Sequence, residues 1–218
     1  AFLLQDFQGG SQLTEGWNVA DLPAGFLAAP FIGLPYFLDS DSLTSWTLPA
    51  ESHADFFVGN MADWWLQTRP KPESLFMQIG FLGPHPPYDP VASYAKHYLD
   101  NPDLPVPDPQ PSDLDDLPSF LKAKRVHDSK VDHDAVLWSL KPEREQLRRL
   151  CAYYMANVSM IDEALGKLLK TMESKGYLDD SLIIFCSDHG EALGEHGLSH
   201  KWSMYDAVTR VPAMFWAP

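Results

Sequence analysis

The stretch "SDHGEALGEHGLSHKW", residues 187–202, joins a carboxylate directly to an imidazole, Asp188 and His189. It adds two more acids, two more histidines and Lys201. An adjacent Asp and His can both reach one divalent cation, and Gly190 behind them lets the backbone turn sharply. A second chemical centre is "GPHPPYDP", residues 83–90, which sets His85 among prolines that fix the backbone and remove donors. An imidazole on a stiff turn can act as a general acid, and a lysine can serve as a fixed cation for developing negative charge. The alternative is a solvated loop. His196 and His200 have the i, i+4 spacing of a zinc helix, but Gly197 between them weakens a helix and no His-Glu-x-x-His occurs. His196 is therefore expected to support the loop.

Both centres need elements to hold them. Leu182–Cys186 is an apolar run that reads as a buried strand ending at Asp188, and residues 74–84 read as another that delivers His85. Helices are expected over His53–Gln67, stopping before Pro70, and over Glu143–Gly176. In the second, Leu147, Leu150, Tyr154, Val158, Ile161, Leu165, Leu168 and Met172 form one apolar stripe, and Gly176 supplies the stop. Residues 1–50 read as loops and short strands. Residues 100–142, with many Asp and Pro and the basic patch "KAKR" at 122–125, read as a surface excursion with solvated charges, or a lid facing substrate. Strand, excursion, helix, strand is the order of an α/β fold, where ligands gather at strand carboxyl ends.

Sixteen basic against 30 acidic residues leave a net charge of −14, which repels a phosphate backbone and argues against nucleic acid as partner. An anionic ligand would need a local positive centre, which a metal with Lys or Arg provides. The two cysteines, Cys151 and Cys186, lie in helical and strand patterns and read as small buried hydrophobes. No apolar run is long enough to span a membrane.

Three ordered motifs carry a family resemblance: "GFLGPHPPYDP" (80–90), "YYMANVSMIDEALGKLL" (153–169) and "SDHGEALGEHGLSHKWSMYDAVTRVP" (187–212). Together they closely resemble the sulfatases of the alkaline phosphatase superfamily, a group that includes phosphonate monoester and phosphodiester hydrolases. The resemblance runs from about residue 55 to 218. It implies an alkaline-phosphatase-like α/β fold, a central mixed β-sheet flanked by helices. It implies Asp188 and His189 as metal ligands, usually for calcium, with manganese or another divalent ion in some phosphonate hydrolases. His85 matches the histidine facing the leaving-group oxygen, and Lys201 matches the lysine that contacts the sulfate or phosphonate. The expected reaction is metal-dependent hydrolysis of a sulfate ester on a sugar, aryl or alkyl group. Phosphonate or phosphodiester hydrolysis, and a non-catalytic scaffold, are the alternatives.

The sequence departs from the family at the nucleophile. Sulfatases convert a Cys or Ser in a Cys/Ser-x-Pro/Ala-x-Arg motif to formylglycine, and no such motif occurs in this chain. Residues 1–218 are therefore expected to be a partial catalytic domain, truncated at both ends and inactive alone, carrying the second half of an active site. The formylglycine is expected upstream.

Overall fold

A computed structural model describes residues 2–5, 36–37, 45–131 and 136–218. Most of the loops and short strands expected in residues 1–50 lie outside the described residues. Six short strands are described: β1 (Phe2–Gln5), β2 (Tyr36–Phe37), β3 (Phe76–Ile79), β4 (Val136–Leu137), β5 (Ile183–Cys186) and β6 (Ala213–Trp216). They form three two-stranded ladders. β1–β3 is antiparallel with Phe2 opposite Ile79, β2–β4 is parallel, and β5–β6 is antiparallel with Ile183 opposite Trp216. The mixed pairing expected of the fold is present, in separate ladders among the described residues.

The helices are α1 (Ala54–Thr68), α2 (Ala92–Leu99), α3 (Pro111–Asp115), α4 (Ser119–Asp128), α5 (Arg144–Ser174) and α6 (Asp206–Thr209). α5 is the organiser. It starts at a capping box, in which the Glu143 side chain accepts from the Gln146 backbone and the Gln146 side chain accepts from the Glu143 backbone. It ends before Gly176, whose φ of 72° is the left-handed turn that glycine adopts without a Cβ penalty. α1 and α2 pack on it. Gly59 of α1 lies so close to Ala164 that a Cβ there would sit 2.8 Å from the alanine Cβ.

That closeness corrects the expected stripe. The buried line of α5 includes Ala152, Ala156, Asn157, Met160 and Ala164, while Val158 is 38% exposed. Two helices approach α5, so small residues face them and the buried surface is broader than one stripe. A buried carboxylate also joins α1 to α5. Asp63 accepts hydrogen bonds from Thr171 and Gln67 and pairs with Lys167 Nζ at 3.1 Å. Burial alone would push its carboxyl up; the bonds from Thr171, Lys167 and Gln67 outweigh this and hold it below the usual carboxylate range.

Three further expectations change. β3 and β5 are not fully buried strands, since each alternates between partly covered and exposed positions. Each pairs on one edge and is covered on one face among the described residues. Cys186 is accordingly exposed, whereas Cys151 is buried as expected. Residues 100–142 are not a simple solvated excursion. They contain α3, α4 and β4, and bury Leu117, Leu121 and Trp138. Within "KAKR", Arg125 donates from Nε to the Gly197 carbonyl at 2.6 Å and from Nη2 to the Leu140 carbonyl at 2.8 Å. It therefore braces the loop that follows β5.

Candidate active site

Two loops carry the candidate residues. The first follows β3 and runs through residues 80–90. His85 Nδ1 lies 2.7 Å from the Pro86 carbonyl. A carbonyl only accepts, so Nδ1 carries the hydrogen and the Nε2 of the neutral ring offers a lone pair. Lys201 Nζ meets that Nε2 at 2.8 Å across 116 residues of sequence. The geometry thus brings His85 and Lys201 together, with the ammonium as donor and the imidazole as acceptor.

The second loop follows β5. Asp188 Oδ1 accepts the backbone N–H of His189 at 2.9 Å, and His189 Nδ1 donates to the Gly190 carbonyl at 2.8 Å. His189 Nε2 is thereby left as an acceptor, 3.8 Å from Asp188 Oδ2. That separation suits adjacent ligands of one cation, and the hydrogen bond to Gly190 fixes the ring as a ligating histidine requires. Asp188 is 88% exposed at its side chain. Among the described residues no cluster of three or more His, Cys, Asp and Glu could hold a metal. The pair fits a divalent cation as two of its ligands, with the others to come from elsewhere.

Several residues tie these loops together. Burial raises the Glu191 carboxyl above its usual range, against hydrogen bonds that include one from Tyr88. Tyr88 belongs to the His85 loop and Glu191 to the Asp188 loop, so this bond links the two. Burial with the nearby Glu191 charge also pushes the Tyr154 phenol up to about 12. The Gly197 carbonyl receives Trp138 Nε1 at 3.2 Å as well as Arg125. His196 stacks on Tyr205 with ring centroids 3.9 Å apart. Leu193, His196 and His200 all have positive φ, between 49° and 62°. Such strain persists where surrounding contacts over-determine a loop.

Sequence reasoning missed Tyr88, Arg125 and Trp138. Arg125 has no local signal, because its carbonyl partners come from elsewhere in the fold.

A family model described as Sulfatase matches residues 23–218. The chain belongs to the sulfatase family. Choline-sulfatase of Rhizobium meliloti (strain 1021) is 32% identical over 142 residues, 65% of this chain and 26% of that protein. Iduronate 2-sulfatase of Homo sapiens is 33% identical over 149 residues, 66% of this chain and 26% of that protein. Among solved structures, the phosphonate monoester hydrolase SpPMH of Silicibacter pomeroyi aligns with a TM-score of 0.69 at 25% identity. It covers 89% of this chain and 39% of its own. The fold is therefore the alkaline-phosphatase-like α/β fold of these hydrolases. This sulfatase-family chain spans about a quarter of the length of both sulfatase relatives, 26% in each case.

Proposed function

We propose that this chain forms part of a sulfatase that hydrolyses sulfate monoesters, with His85 and Lys201 at the leaving-group oxygen. The 2.8 Å contact between Lys201 Nζ and His85 Nε2 carries this reading. Cleavage of the S–O bond leaves negative charge on the departing alcohol oxygen, which takes up a proton as the alcohol forms. In the contact between them Lys201 Nζ donates and His85 Nε2 accepts. The pair acts as one reservoir: whichever nitrogen faces the oxygen donates, and the other stabilises the remaining charge.

Asp188 and His189 would hold a divalent cation, calcium first and manganese or another divalent ion as alternatives. When bound, it supplies polarisation of the ester and a lower pKa for the attacking hydroxyl. Asp188 and His189 are its ligands in this chain, and Gly190 orients the imidazole. The nucleophile, a formylglycine, lies outside these 218 residues, which form one partial catalytic domain inactive alone. The acidic surface does not attract nucleic acid.

Relatives named for choline sulfate and for iduronate 2-sulfate esters point to a small anionic ester, such as a sulfated sugar or alkyl or aryl sulfate. A second reading, phosphonate monoester hydrolysis, is favoured by the TM-score of 0.69 to a phosphonate monoester hydrolase. The complete protein containing this chain should be assayed with aryl sulfate beside aryl phosphonate, with Lys201→Ala and His85→Ala as controls. Faster turnover of sulfate, lost in both variants, is the expected result. Dominant phosphonate turnover would install the second reading, and full sulfate activity in both variants would remove His85 and Lys201 from the chemistry.

A further inference from the structure

The His85 turn is held by buried groups that the chemistry above does not use. At the start of α1 the backbone N–H of Asp55 donates to His53 Nδ1 at 3.3 Å. In the neutral ring Nε2 then carries the hydrogen, and it faces Asp89 Oδ1 at 3.6 Å. Asp55 Oδ1 accepts the backbone N–H of Gly83 at 2.8 Å. The approach is so close that a Cβ on Gly83 would lie 2.3 Å from Asp55 Oδ2. Gly83 and Asp89 bracket His85 in sequence, so two side chains of one helix start reach both ends of its turn. Trp46 secures the far end again, with its backbone N–H donating to the Pro90 carbonyl at 2.9 Å and its ring edge-on to His53 at 5.0 Å.

His53 and Asp55 are only 4% and 2% exposed. Burying a carboxylate is costly, and burial raises the Asp55 carboxyl despite the Gly83 bond that opposes it. A cavity of about 40 Å³ is lined by His85, His53, Asp55 and Asp89. Close packing therefore does not fix the imidazole from that side, and polar contacts must.

We infer that Asp55 and His53 are positioning residues for His85, Asp55 holding the Gly83 end of the turn by a hydrogen bond and His53 lying against Asp89 at the other, so that Nε2 meets Lys201. The inference rests on the reading of His85 and Lys201 as the leaving-oxygen pair. A misplacement of about 1 Å at such a group costs on the order of a hundredfold in rate.

The complete protein is assayed as Asp55→Ala, Asp55→Asn, His53→Ala and His85→Ala, with two aryl sulfates whose phenols differ widely in acidity. An acidic phenol departs without a proton; a basic one needs it. Asp55→Ala and His53→Ala should lose roughly tenfold to hundredfold in kcat with the basic phenol, with little loss for the acidic one. KM should stay within about twofold. Asp55→Asn keeps an oxygen for the Gly83 N–H and should recover most of the rate. Nitrogen-15 spectra of the His85 ring give a readout independent of turnover. The parent should show the Nδ1–H tautomer, and Asp55→Ala an averaged signal; if Asp55→Ala does not fold, His53→Ala carries the same comparison. Equal losses with both phenols, or an unchanged His85 signal, overturn the inference. If His85→Ala treats the two phenols alike, the leaving-oxygen reading falls, and the nitrogen spectra still decide the clamp.

Discussion

Gly190 follows the candidate metal ligand His189, and its replacement by alanine has a cost that the structure sets. Its N–H donates to the Val208 carbonyl at 2.7 Å. A Cβ on Gly190 would lie 2.0 Å from the Ala207 carbonyl oxygen, 3.1 Å from its carbon and 3.3 Å from Val208 Cα. All three are backbone atoms of α6, so no side-chain rotation relieves the overlap. Ordinary C···O contacts begin near ~3.3 Å, so the loop and α6 must part by more than about 1 Å. Overpacking of this kind costs about 1–3 kcal/mol, and losing the Val208 bond adds about 1 kcal/mol. The sum is about 2–4 kcal/mol. At a urea dependence of about 2 kcal/mol per molar, the unfolding midpoint should fall by about 1–2 M. The Gly190 carbonyl also orients the His189 ring, so on the proposed reading of His189 as a calcium ligand, stabilisation by added calcium should weaken in the same variant. Urea titrations with and without calcium measure both effects. A midpoint within about 0.3 M of the parent, with calcium stabilisation intact, would refute the close approach of Gly190 to α6.

Other perturbations test separate links. Asp63 has a lowered carboxyl pKa, so its contribution to stability is present above the unfolded value of 3.8 and is lost as pH falls through the folded value. Asp63→Asn should therefore flatten the acid limb of a stability-against-pH curve, and an unchanged limb would contradict the Asp63 bonds. Trp138→Phe should cost about 1 kcal/mol in urea unfolding, because Arg125 still serves the Gly197 carbonyl. Combining it with Arg125→Met should cost more than the two single losses added, since the carbonyl then has neither donor. A thiol reagent should label exposed Cys186 quickly in the folded protein and spare Cys151, whose thiol burial pushes up to about 11. Mass spectrometry of the labelled peptides reads the order directly.

Local chemistry made part of this arrangement readable from the chain. Three prolines within four residues of His85 exclude it from a helix interior, so the turn could be placed without knowing its neighbours. The apolar run before Asp188 and the capped period of α5 are local in the same sense. Exposure was harder to read, because a run such as "LIIFC" does not say how many faces will be covered. Ile184 is 55% exposed although its residue type suggests a core. The supports were harder still. Arg125 sits in a basic run that reads as solvated, yet its partner carbonyl at Gly197 is 72 residues away. Asp55 looks like a first-turn acid on a helix, yet its oxygen holds Gly83, 28 residues on. These cases share a cause. A loop pairs only some of its backbone groups within itself, as the Gly194 N–H does with the Leu198 carbonyl at 2.9 Å, and distant side chains meet others, such as the Gly197 carbonyl and the Gly83 N–H. The candidate site residues advertise themselves by type and order, whereas those that hold loops are ordinary in type and defined only by what the fold brings near. In this chain Asp55, His53 and Arg125, which contact the two loops that carry His85 and Lys201, are of this second kind.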